Sequence, residues 1–156
     1  MRNSTLCYME KDGCYLLMHR VKKKNDLNQD KWIGIGGGFE EKESPDDCLL
    51  REAREETGLT LTDYCLRGIV TFVSDRWETE QMFLYTATGF EGTLTDCEEG
   101  TLEWVPIPAM YDLPIWEGDR IFLRLLEQEA PFFLLKLTYE GDTLTEAILD
   151  GHALSL

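Results

Sequence analysis

Short apolar runs alternate with polar breaks along the chain, and the period of each run predicts its element. Residues 4–9 and 14–20 are apolar runs around Glu10-Lys11-Asp12-Gly13. Asp-Gly is a strong two-residue turn signal, so the chain is expected to open with a β-hairpin. Residues 22–31 are polar throughout and read as a loop. A helix start follows: Ser44 can cap, Pro45 suits the first helical position, and Asp47 can close a capping box. Asp46 and Asp47 also suit the positive end of the helix dipole. This helix is expected to run to about Thr57, with Gly58 as its stop.

Residues 67–74, 81–90 and 102–107 read as strands, the last one short. A second helix is expected over 117–129, where Ile121, Phe122, Leu125 and Leu126 form an apolar stripe that ends before Pro131. Residues 132–149 read as a closing hairpin. Strands outnumber helices and arrive in hairpins, which predicts an α/β fold whose mixed sheet is flanked by helices, not a parallel βαβ sheet. No repeat or linker divides the 156 residues, a length that fits one domain, 1–156.

Composition narrows the class. With 43% hydrophobic and 29% charged residues the chain matches ordinary globular proteins, not disordered ones. No apolar run approaches the roughly 18 residues of a bilayer span, and residues 1–20 read as a hairpin instead of a signal peptide. A cytoplasmic protein without a membrane partner is therefore expected, and the acceptor match Asn3-Ser4-Thr5 carries no glycan. Cys7, Cys14, Cys48, Cys65 and Cys97 are an odd number without CxxC spacing, so buried free thiols are expected. Thirty acidic against fifteen basic residues give a net charge of −15, which repels a nucleic-acid polymer. A small anionic substrate stays compatible with that charge if metal ions supply the positive counterpart.

Eight carboxylates crowd the stretch from Gly36 to Leu59. On a helix, positions 52, 55 and 56 fall within an arc of about 100°, so Glu52, Glu55 and Glu56 point the same way. Like charges at that spacing cost about 0.2–0.5 kcal/mol per pair. Arg51 can pair with Glu55 at i,i+4, yet one arginine cannot neutralise three acids. The residues alone leave two readings, a solvated acidic face or a site for hard divalent cations, which take oxygen ligands from a few carboxylates and substrate phosphates.

The spacing Gly37, five residues, Glu43, seven residues, then Arg51-Glu52-Ala53-Arg54-Glu55-Glu56-Thr57-Gly58-Leu59 resembles the Nudix box, Gx5Ex7REUxEExGU with U a bulky aliphatic. Ala53 is the soft match, at the first U. The resemblance implies a Nudix α/β/α sandwich with a mixed central β-sheet and a loop-helix-loop metal site. It implies Glu52, Glu55 and Glu56 as ligands of Mg²⁺, for which Mn²⁺ can substitute, with the Gly36 or Gly37 carbonyl completing the set. Glu43 and Arg51 would orient those ligands. Glycines suit a backbone that turns tightly and approaches metal and phosphate closely.

The family cleaves a diphosphate linked to another moiety: water attacks phosphorus and a carboxylate accepts the proton. Glu52 and Glu56 are the candidate bases inside the box. Family likeness also places a metal-binding or basic glutamate in the loop before Trp104-Val105-Pro106, where Glu99 matches, with Glu98 second. The basic run Arg20, Lys22, Lys23, Lys24 leads towards the box; Arg20 and Lys23 are the expected phosphate contacts, against simple solvation of the run.

Residues 30–37 and 114–150 are similar to the MutT-type oxidised-purine nucleoside triphosphatases of this family. In that subgroup a tryptophan at the position of Trp116 stacks on the purine and adjacent acids read its edge. Asp119 matches one acid, Gly118 replaces the other, and Ile33 replaces a base-contacting asparagine. Without the likeness, Trp116 before an amphipathic helix reads as core packing. Ser74 stands where ADP-ribose enzymes of the family usually carry proline. The expected function is Mg²⁺-dependent cleavage of a purine nucleoside triphosphate, the 8-oxo-dGTP type included, to monophosphate and pyrophosphate. The alternatives are a hydrolase of another nucleoside diphosphate derivative such as ADP-ribose, and a Nudix-fold binding module without turnover. A small nucleotide is the expected partner of a monomer or homodimer.

Overall fold

Asp12 and Gly13, at φ 51° and 74°, make the tight turn that their sequence predicts. They join β1 (Arg2–Lys11) to β2 (Cys14–His19) in a computed structural model that describes residues 1–22 and 26–156. The chain continues through β3 (Trp32–Ile33), β4 (Ile35–Gly38), α1 (Pro45–Thr57), β5 (Leu59–Ser74), β6 (Glu80–Gly92) and β7 (Thr101–Pro106). It closes with α2 (Ile107–Met110), α3 (Glu117–Glu127), β8 (Phe133–Glu140), β9 (Thr143–Leu149) and β10 (His152–Ala153).

The first hairpin is paired only beside its turn, at Glu10↔Tyr15 and Lys11↔Cys14. Beyond that its strands part company. β1 pairs with β4 antiparallel and with β6 parallel, whereas β2 pairs with β3 and β7. The strand order is β10-β9-β8-β5-β6-β1-β2-β3, and the parallel pairs β1/β6 and β5/β8 make the sheet mixed, as expected.

Alternation along the central strands feeds two separate cores. Leu6, Tyr8, Tyr15 and Leu17 join Phe122, Leu123 and Leu126 of α3 on one face. Cys7, Met9, Leu16 and Met18 join Leu49 and Ala53 of α1 on the other. β1 and β2 are apolar on both sides because each lies under a helix on both faces, which is the α/β/α sandwich.

α1 starts and stops where predicted. The Ser44 hydroxyl accepts from the Asp47 N–H at 3.1 Å, and the Asp47 carboxylate accepts from the Ser44 N–H at 3.0 Å. Gly58, at φ 79°, ends the helix with its N–H on the Arg54 carbonyl.

Several boundaries differ from expectation. β5 begins at Leu59, eight residues before the predicted 67: the run Leu59-Thr60-Leu61 already alternates, and pairing with β6 extends it. β3, β4 and the short α2 were not expected, because isolated two- to four-residue elements carry no period to read. α3 ends at Glu127, with Gln128 as its cap, two residues short of the predicted end. All five cysteines are free, but only Cys7, Cys48 and Cys97 are buried; Cys65 is exposed and Cys14 half-buried. Among the described residues no helix is long and apolar enough to cross a membrane.

Candidate active site

β4 lies against β1 with Gly36 opposite Leu6, Gly37 opposite Thr5 and Gly38 opposite Ser4. A Cβ on Gly36 would fall 1.8 Å from the Thr5 carbonyl oxygen, and one on Gly37 would fall 2.6 Å from the Glu52 carboxyl carbon. Neither glycine has a positive φ. The glycines are thus required by the close approach of β1 and α1 in a strand, and the tight turn expected of them is absent.

α1 packs on β4 and aims Glu52 and Glu56 at it. Glu56 is buried at 8% exposure, with its carboxylate accepting from the Gly36 N–H at 3.3 Å. Burial first, and then the charges of Glu52 and Glu99, push its pKa up to about 9. Arg51 holds the neighbouring acids. Its Nε donates to Glu43 at 2.7 Å and its Nη2 to the other Glu43 oxygen at 2.9 Å, while Nη1 donates to Glu52 at 2.7 Å and Glu55 at 3.1 Å. Nη2 also reaches the Gly38 carbonyl at 3.0 Å, which ties the helix to β4. Hydrogen bonds from Arg51 and from the Glu40 N–H hold the Glu43 carboxyl down at about 2. Arg51 and Glu43 thus tie α1 to the strand and loop before it.

A cavity of about 260 Å³ opens over this corner. Its lining includes Gly36, Gly37, Glu52, Glu56, Glu99 and Arg20 together with Trp116, Asp119, Phe72, Met82 and Ile33. Arg20 is buried between two acids, donating to Asp26 and to Glu99 at 2.7 Å each. Glu55 does not line the cavity: its side chain is 59% exposed and engaged by Arg51. Glu98 is exposed, and Lys23 lies outside the described residues.

The donor set suits a hard cation. Glu52, Glu56 and Glu99 are all oxygen donors on the cavity lining, and the cations that reach them, Arg51 on Glu52 and Arg20 on Glu99, are each shared with other acids. A buried Glu56 facing two like charges is stable only as the neutral acid or beside a positive ion. Among the described residues no three such side chains are drawn tightly enough to hold an ion as they stand, since Arg51 takes Glu52 and Glu55 for itself.

Trp116 is packed in the core and also reaches the cavity wall. It lines the cavity, yet it is only 6% exposed and meets Phe72 and Tyr139 edge to face. The Lys31 ammonium lies 4.7 Å over its ring. Asp119 is buried at the foot of α3, where loss of solvation pushes its carboxyl up to about 8.

Sequence reading missed Asp26 and Asn28 in the loop and Ser4, Glu80 and Met82 on the floor. The alternation of Glu80 and Met82 on β6 was available as a signal, but nothing local said which face would be hollow.

A Nudix domain model matches residues 2–126. The chain belongs to the Nudix family. Its relatives include Uncharacterized Nudix hydrolase YvcI of Bacillus subtilis (strain 168), 31% identical over 124 residues that cover 76% of this chain and 75% of that one. Another is the oxidized purine nucleoside triphosphate hydrolase of Mus musculus, 28% identical over 111 residues, 70% of this chain and 71% of the relative. The crystal structure of a MutT protein from Bacillus halodurans superposes with a TM-score of 0.84 at 26% identity, covering 96% of this chain and 98% of that one. By family and fold the chain is a Nudix hydrolase of MutT type, and the Nudix box is the β4–α1 corner built from Gly37, Glu43, Arg51, Glu52, Glu55 and Glu56.

Proposed function

We propose that this Nudix hydrolase cleaves purine nucleoside triphosphates, oxidised purines included, to the monophosphate and pyrophosphate with Mg²⁺. One observation carries the reading: a single cavity is lined both by the acidic corner and by an aromatic residue with a buried acid, Trp116 and Asp119. That combination suits a molecule that carries both a polyphosphate and a flat base. The relationship to the oxidized purine nucleoside triphosphate hydrolase of Mus musculus supports it.

Glu52, Glu55, Glu56 and Glu99, with the Gly36 or Gly37 carbonyl, would hold the Mg²⁺, for which Mn²⁺ substitutes. When bound, the cation neutralises negative charge on phosphate oxygens. Arg51 and Glu43 keep Glu52 and Glu55 in place through the bonds described above. Arg20, which donates to Glu99, would meet a phosphate oxygen. Water forms the new bond to phosphorus as the anhydride bond between the first and second phosphates breaks, and its proton passes to Glu52, Glu56 or Glu99.

The test is release of pyrophosphate and monophosphate from normal and oxidised nucleoside triphosphates, with ADP-ribose beside them, as a function of Mg²⁺. Activity on purine triphosphates that disappears with chelator is expected. Turnover of ADP-ribose alone, or no turnover of any compound, refutes the proposal.

A further inference from the structure

The Trp116 indole Nε1 donates to Asn28 Oδ1 at 2.8 Å. An indole N–H is a donor only, so this bond decides which end of the Asn28 amide is which: the oxygen faces Trp116 and the amino group is left over. That Nδ2 group has no partner among the described residues, and Asn28 lines the cavity beside Trp116 and Asp119.

The side chain sits on an anchored turn. Asp26, two residues earlier, is clamped by Arg20 at 2.7 Å with both side chains buried. The Lys31 N–H closes on the Asn28 carbonyl at 2.9 Å, and the Asp30 N–H on that of Arg20 at 2.8 Å. The amide is therefore pre-positioned before a ligand enters, which lowers the ordering cost of using it. Asp119, also on the cavity wall, makes no side-chain hydrogen bond among the described residues, and burial keeps it protonated at neutral pH, so it too has a hydrogen to donate.

A wall that offers donors favours an edge that offers acceptors. Purines with oxygen at carbon 6 present O6 as an acceptor, joined by N7 when carbon 8 is not oxidised, whereas an amino group at carbon 6 sets a donor against a donor. We propose that Asn28 makes this site select purines carrying oxygen, and not an amino group, at carbon 6. The inference rests on the reading of the cavity as a purine nucleotide site.

The test separates binding from turnover. Affinities of inosine and adenosine 5′-monophosphates are measured by titration calorimetry, alongside kcat/KM for the corresponding triphosphates. The wild-type protein should favour the inosine compound by about tenfold or more, within the range of a good base contact. Asn28→Ala should lose most of that preference. Asn28→Asp keeps an acceptor for Trp116 but exchanges the donor for an acceptor, so it should turn the preference towards adenosine. Equal wild-type affinities, no binding of either monophosphate, or a preference unchanged in both variants would overturn the inference. Discrimination in binding without triphosphate hydrolysis would uphold it while removing the proposed activity, and hydrolysis without discrimination would do the opposite.

Discussion

Arg51 grips Glu43 through two bonds, Nε to one carboxylate oxygen at 2.7 Å and Nη2 to the other at 2.9 Å. The two residues belong to the helix and to the loop before it, so the pair fixes where α1 stands relative to β4. The fork leaves Nη1 free to hold Glu52 and Glu55. Lysine has one point of charge and cannot reproduce this geometry. Arg51→Lys should lower activity or Mg²⁺ affinity about 10–100-fold, as losses of ligand-orienting partners do. Steady-state kinetics across a Mg²⁺ titration measures it; an unchanged Mg²⁺ dependence would show that the fork orients nothing.

Glu56→Gln should separate stability from activity. Without a bound cation, burial keeps the Glu56 carboxyl neutral at pH 7, so an uncharged amide of the same shape leaves the metal-free melting temperature close to wild type. The variant should nevertheless lose about a hundredfold or more in rate, and most of the stabilisation by Mg²⁺, which for a specific ligand at a hundred times its Kd is about 2.7 kcal/mol. Melting curves with and without Mg²⁺, beside pyrophosphate release, check both halves.

Gly36→Ala and Gly37→Ala should fail differently. At Gly36 the new methyl meets the Thr5 backbone at 1.8 Å, so β1 and β4 must separate and a loss of about 3 kcal/mol or more is expected. At Gly37 it meets only the end of the Glu52 side chain at 2.6 Å, which can swing away. The second variant should fold well and turn over poorly. Urea denaturation paired with activity distinguishes them, and equal stability losses would contradict the assignment.

Asp119 should give the protein a pH-dependent stability of definite sign. Burial raises its carboxyl from 3.8 in the unfolded chain to about 8, so between those values the folded state binds the extra proton. This contribution is complete below about pH 4 and is lost as pH rises towards 8. Asp119→Asn removes the titration. Its unfolding free energy should fall less steeply than that of wild type between about pH 5 and about pH 8 in urea titrations, and parallel slopes would show that Asp119 does not titrate there.

Much of this was legible because it is local. The capping box at Ser44 and Asp47, the left-handed Gly58 and the Asp12-Gly13 turn each depend on atoms a few residues apart. The grouping of Glu52 and Glu56 follows from helical period, and the Nudix spacing names the corner they form. Glu55 shows what that logic leaves out: it shares the helical face, yet without a cation it stands outside the cavity, paired with Arg51, because a face of about 100° is wide enough to span a cavity edge.

The sequence by itself determined the elements with clear period or caps, the acidic corner and the family. Tertiary structure decided what each residue faces. Gly36 and Gly37 had to be small because β1 and α1 close on them from residues far along the chain, not because their own backbone turns. Asn28 and Asp26 carry no pattern in a polar loop; Trp116, 88 residues beyond Asn28, and Arg20, buried beneath Asp26, give them their orientation. Chain order encodes local geometry, but a cavity is made where distant segments fail to touch, and only the packed fold specifies that space.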